Sequence, residues 1–162
     1  MDYYIHPLKG VNEIAFGMSR FQARRHMGSS AELVRRGGEG VPSDYFVDEG
    51  IFFEYDDKET LSAIEITRGS RLLLHAQSVF DLDVEQCFAF LKLIDPYTIL
   101  DDDGVTSHSL SIGVWVPFME ADEDDDGEYD YDGYGKPGQI ESIMIGRLGY
   151  FDFRKDLTTG VL

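Results

Sequence analysis

The sequence holds one cysteine, Cys87, and one tryptophan, Trp115, in 162 residues. A lone cysteine excludes an intramolecular disulfide, and no apolar run approaches the roughly 20 residues that cross a bilayer as a helix. Basic residues are scarce: 14 Lys and Arg stand against 31 Asp and Glu, for a formal charge of −17. Such a potential repels nucleic acid and anionic membrane and attracts basic proteins, so the expected partner is a cationic protein. The opening residues, MDYYIHPLKG, have neither a basic n-region nor an apolar h-region, which leaves cytoplasmic residence as the expectation. Also missing are G-x-S-x-G, the P-loop and G-x-G-x-x-G, which removes the common hydrolase and nucleotide-binding readings. His6, His26, His75 and His108 share no zinc-ligand spacing with one another or with Cys87. With no catalytic constellation in view, the expectation is no enzyme and no cofactor.

What is present is enough for a core, since 43% of the residues are hydrophobic. The charge is uneven. Up to Arg36, Lys9, Arg20, Arg24, Arg25, Arg35 and Arg36 outnumber Asp2, Glu13 and Glu32, so that stretch carries +3 and the remainder −20. Arg20, Arg24 and Arg25 read as a solvated helix face, because a nucleic-acid footprint needs a basic face over the whole domain.

Local patterns predict an order of helix, strands, helix, strands. Ser19 as N-cap, the seam Met18, Ala23 and Met27, and Gly28 at C′ predict a helix from Arg20 to Met27. A Gly-rich connector follows, with a helical turn expected around Ala31 to Arg35. Between Asp44 and Ala76, runs of aromatic and β-branched residues broken at Asp48-Glu49-Gly50, Asp56-Asp57-Lys58 and Arg68-Gly69-Ser70 predict three or four antiparallel strands. Asp83 and Gln86 have capping-box spacing, Val84, Cys87, Phe88, Leu91 and Ile94 recur at helical spacing, and Pro96 stops the second helix. Cys87 on that seam reads as a buried thiol. Strands are expected again in SHSLSIGVWVPFM, QIESIMIG and YFDF. Alternation turns Trp115 away from Val114 and Val116, and its usual burial makes it the core member of that pair.

The two helix openings, Phe16-Gly17-Met18-Ser19 and Phe80-Asp81-Leu82-Asp83, lie 64 residues apart, and Leu61, Ile64 and Ile66 match Ile140, Ile143 and Ile145 at an offset of 79. The fold class expected is therefore α+β, as two imperfect helix-plus-antiparallel-sheet repeats, 1–78 and 79–162, forming one compact unit. The 15 extra residues fall in an acidic hairpin insertion, 119–138, far longer than the usual 2 to 5 residue loop.

The phrase FGMSRFQARRHMG resembles the helix opening of small α+β repeats in the outer-membrane assembly lipoprotein family and in the tandem-repeat β-lactamase inhibitor family. It is also similar to the opening of bacterial immunity proteins of polymorphic toxin systems. The chain departs from both named families, having neither a lipobox cysteine nor cysteine pairs. The resemblance implies protein binding through an open sheet face and its loops, with no chemistry.

The insertion reads EADEDDDGEYDYDGYGKPG from Glu120. Asp122, Asp124, Asp126 and Gly127 match D-x-D-x-D-G, but the twelfth position of an EF-hand loop begun at Asp122 is Gly133 rather than Glu. A looser calcium site using Asp130 or Asp132, or a structural module, is the alternative function. The leading reading is partner binding: Tyr129, Tyr131 and Tyr134 offer contact area at small entropic cost, and the surrounding carboxylates steer a cationic partner. A second acidic turn, Asp101, Asp102 and Asp103 before Gly104, joins that surface if both loops lie at one end of the sheet. The function expected is a stoichiometric inhibitor, an immunity protein that occludes a basic, nuclease-like toxin domain.

Overall fold

The computed structural model describes residues 2–36, 40–119 and 136–152. It is a mixed α+β fold, mostly sheet. Three strands open it: β1 (Asp2–His6), β2 (Gly10–Val11) and β3 (Ile14–Ala15). Helix α1 (Arg20–Met27) leads into β4 (Glu32–Val34), β5 (Ser43–Phe46), β6 (Ile51–Tyr55) and β7 (Leu61–Thr67). Then come β8 (Arg71–Leu74), β9 (Gln77–Ser78), a 3-10 turn (Val79–Asp81) and α2 (Val84–Ile94). Strands β10 (Ile99–Asp101), β11 (Gly104–Ser107), β12 (Ile112–Trp115) and β13 (Ser142–Gly146) complete the described elements.

Eight strands form one sheet in the order β10-β11-β12-β13-β7-β6-β5-β4, antiparallel throughout. The other five make a smaller sheet, β3-β2-β1-β8-β9, in which β1 and β8 run parallel. Alternation along the large sheet sends Phe53, Ile64, Ile66, Ile112, Val114, Ile143 and Ile145 to one face. There they share a single core with Tyr3, Val11 and Leu72 of the small sheet, Ala23 of α1 and Cys87 and Leu91 of α2. Full burial of each large side chain stabilises by about 1.5–3 kcal/mol.

Both helices begin and end where their punctuation places them. Ser19 and Asp83 each cap the amide of the third residue on, Gln22 and Gln86 return the bond, and Gly28 closes α1 at φ 72°. Elsewhere tertiary pairing overrides local preference. The helical turn expected at Ala31 to Arg35 is instead β4, because Glu32, Leu33 and Val34 find ladder partners in Tyr45, Asp44 and Ser43. The strand expected in YFDF is a turn over Tyr150–Asp152: Gly149 takes φ 81° and the Tyr150 amide bonds back to Arg147 O. SHSLSIGVWVPFM splits at a His108–Ser111 turn into the end of β11 and β12. The fourth strand after Asp44, β8, is not antiparallel to its predecessors but crosses to the small sheet beside β1. The sequence reading passed over β1 to β3 altogether.

Two of the three helix arginines turn to a buried carboxylate rather than standing free in solvent. Arg20 Nη1 and Arg24 Nη2 each donate to Asp44 Oδ1 at 2.6 Å, Arg24 Nε to Oδ2 at 2.8 Å, and the Tyr55 hydroxyl to Oδ2 at 2.8 Å. Asp44 is completely buried. The Arg20 guanidinium also stacks 4.0 Å from the Tyr55 ring centroid. Burial alone would raise the Asp44 carboxyl; the hydrogen bonds from Arg24 and Tyr55 and both arginine charges outweigh it and hold the group below its ordinary value. Only Arg25 is exposed as expected. Cys87 is buried, and desolvation, with the Asp83 charge, pushes its thiol up to about 12. No described helix is long and apolar enough to cross a membrane.

Candidate functional site

The opposite, outer face of the large sheet carries the side chains that the core does not absorb. Strand alternation puts Tyr45, Phe52, Glu54, Glu65, Met144, Gly113 and Trp115 there. Tyr45 and Phe52, opposite each other on β5 and β6, stack at 4.0 Å with rings 6° apart. Arg36 lies over Phe52, 4.4 Å from its centroid, and bonds both Glu65 and Glu54; the Glu54 contact is 3.2 Å. Burial would lower the Arg36 guanidinium, yet the two carboxylates raise it above its ordinary value, so it stays charged.

Two glycines let the chain fold back onto this face. A Cβ on Gly146 would meet Tyr150 Cβ at 2.4 Å, and one on Gly113 would meet the Phe151 ring at 2.9 Å. Both glycines are therefore required by close approach rather than by backbone angle. The Tyr150 hydroxyl is pushed up to about 12, first by desolvation and then by the charge of Glu54.

Beside Phe151 remains a concavity of about 190 Å³, floored by Gly113, Ser142 and Met144, with Arg36 and Glu65 on one side and Trp115 and Asp103 on the other. Trp115 is 43% exposed, not core. The reason is its neighbours: it pairs with Gly104 on β11 and Ser142 on β13, neither of which has the bulk to cover an indole.

The acidic turn sits at this end of the sheet. Asp101 pairs with Gly104 around Asp102 and Asp103, all three aspartates are exposed, and Asp103 O accepts from the Val116 amide at 2.9 Å. The stem of the acidic insertion starts from the same place: the Gly138 amide donates to Phe118 O at 2.7 Å, and Glu141 to Trp115 O at 3.0 Å. Asp122, Asp124, Asp126, Tyr129, Asp130, Tyr131, Asp132 and Tyr134 lie outside the described residues. So the structure brings Asp101 to Asp103 next to the insertion's stem and adds Trp115 between them.

Sequence reasoning missed Arg36, Glu65, Ser142, Met144 and Phe151. One signal was available: Glu65 is a charge inside the strand LSAIEIT, and a charge there must find a partner. Among the described residues no three His, Cys, Asp or Glu side chains cluster as a metal site would require. Compared with protein-family models, with curated proteins and with solved structures, the chain matches none.

Proposed function

We propose that the chain is a stoichiometric protein-binding inhibitor, an immunity protein that neutralises a basic, nuclease-like bacterial toxin by covering its active surface. The observation that carries this reading is Trp115, an exposed indole standing between the Asp101–Asp103 turn and the stem of the acidic insertion. An exposed aromatic anchor beside an acidic turn is an arrangement suited to a cationic surface. The net charge of −17 would speed association with such a partner.

The resemblance to tandem α+β repeat proteins belongs to the same proposal, with repeats 1–78 and 79–162. Several observations support it. Three strands flank each side of the β7–β13 pair, and the bridges Ser19 to Thr60 and Asp83 to Gln139 tie each N-cap to the segment just before β7 or β13. Arg68 N donates to Glu141 O and Arg147 N to Ser62 O, two bonds that exchange places under the 79-residue offset.

Affinity capture from the source cells tests the reading. The wild-type chain should retain one basic protein at a one-to-one ratio, inhibit its activity and release it as salt rises. Trp115→Ala should weaken that complex by about 2 kcal/mol or more. The triple variant Asp101→Asn, Asp102→Asn, Asp103→Asn should slow association and flatten the salt dependence. An acidic partner, or a complex indifferent to both variants, rejects the reading.

A further inference from the structure

Buried polar side chains in this fold are bonded, as is the rule: Ser43 to Glu54, Ser62 to Glu54 O, Ser107 to Asp95 and Ser111 to Arg147 O. Ser142 is the exception among the described residues. It is 4% exposed and its hydroxyl makes no hydrogen bond, yet Oγ is not sealed from solvent, because it opens on the hollow of about 190 Å³ beside Trp115. Alternation sets it on the outer face with Met144, opposite Trp115 on β12. On β7, opposite Met144, Glu65 gives Oε2 to Arg36, while its Oε1 accepts no hydrogen bond and is likewise not sealed. A hydroxyl and a carboxylate oxygen, both with bonding capacity to spare, thus line one hollow.

Charge, walls and size narrow what fits there. Arg36 is the one cation of the lining and is already held by Glu54 and Glu65, with the Asp103 carboxylate on the far side, so the surroundings are negative. The walls are Trp115, Phe151 and Met144. The volume falls below the roughly 300–1,000 Å³ that encloses a whole drug-sized ligand, which suits the end of one side chain. The fold itself shows what such surroundings hold: Arg20 lies over Tyr55 beside Asp44, and Arg36 over Phe52 beside Glu65. Trp115 stands among carboxylates in the same way, and among the described residues no cation lies over it.

We infer that the hollow receives one arginine side chain of the protein partner, its guanidinium flat on the Trp115 indole and donating to Glu65 Oε1 and Ser142 Oγ. A planar guanidinium stacks on an aromatic face while donating within its own plane, whereas an ammonium is a compact, strongly hydrated point charge. That the arginine comes from a protein rests on the inhibitor reading above; the chemistry of the hollow does not.

The chain's single tryptophan gives one indole N–H resonance to follow. Titration with acetyl-arginine-amide in roughly 150 mM salt, where distant charges are screened, should move that resonance saturably with a millimolar Kd. Acetyl-citrulline-amide, of the same shape without the charge, and acetyl-lysine-amide should each bind about tenfold more weakly or worse. Glu65→Gln should cut arginine binding about tenfold, and Ser142→Val, which fills the floor, should abolish it. Ser142→Ala should weaken it a few-fold with no loss of stability to urea, since that hydroxyl bonds nothing in the free chain. Glu85→Gln, at an exposed carboxylate of α2 across the sheet, should change nothing. No saturation by about 50 mM of the arginine probe, equal binding of the citrulline or lysine probe, equal loss from Glu85→Gln and Glu65→Gln, or indifference to Ser142→Val overturns the proposal, even where capture yields a basic partner. Arginine binding as described, with no basic partner captured, rejects the inhibitor reading instead.

Discussion

α1 and α2 are anchored alike at their N-termini but held down by different forces. Each has a capping box, and each N-cap residue bridges the segment before a central strand. Beyond that, the eight-residue α1 buries only Ala23 and is fastened through Arg20 and Arg24 to the buried Asp44 and Tyr55. The eleven-residue α2 buries Val84, Cys87 and Leu91 and makes no ion pair among the described residues; at its end Asp95 accepts from Ser107 Oγ at 2.6 Å. A polar helix can therefore be fixed through charge where an apolar one is fixed by burial. It acquires dependence on charge state in return, because a buried charge is stable only while its partners remain.

The largest effect should come from Asp44→Asn, which removes the carboxylate that two arginines share and leaves Arg20 only the Pro42 carbonyl and Glu59. Urea denaturation at neutral pH should show a loss of about 3 kcal/mol, the low end for a broken buried pair because the Arg24 side chain is 39% exposed. Replacing the network whole, as Asp44→Leu with Arg20→Met and Arg24→Leu, should recover most of that loss. If the single and the whole replacement are equally damaging, the network is not what holds α1.

Leu91→Ala is the matching break in α2 and should cost about 2–3 kcal/mol through transfer and cavity terms. Unlike Asp44→Asn, it should leave the pH dependence of stability unchanged.

That pH dependence has a definite sign. The carboxyls of Asp44 and Asp95 lie below the ordinary value and that of Asp56 at about 2, the last through backbone and side-chain hydrogen bonds from Thr60. The folded chain thus binds these protons less readily than the unfolded one. The stabilisation is complete above the unfolded value near 4 and drains away as pH falls towards 2. Denaturation midpoints across pH 2–6 should fall on the acid side, with a shallower slope in Asp44→Asn. The smallest effects should be the two caps: Ser19→Ala and Asp83→Ala should each cost about 1 kcal/mol, and a wide difference between them would undo the symmetry of the comparison.

Legibility in the sequence followed the range of the forces. Ser19, Gln22 and Gly28, or Asp83 and Gln86, interact within one turn, so both helices could be read to their ends. The Asp102-Asp103 turn before Gly104 was equally local. β4 was not, since Glu32 to Val34 become a strand only because β5 lies alongside. Nor was the fate of Arg20 and Arg24, whose partner is 24 and 20 residues away, or that of Phe151, which contacts Gly113 from the far end of the chain.

By itself the sequence determined the charge, the two capped helices, the central strands and the acidic composition of the tract after Met119, because composition and short-range hydrogen bonding suffice for those. Only the tertiary structure decided that Trp115 faces outward beside Asp103 and that Asp44 gathers two arginines. Those outcomes depend on which strands become neighbours, and strand pairing is fixed by the packing of the whole core rather than by any segment in it.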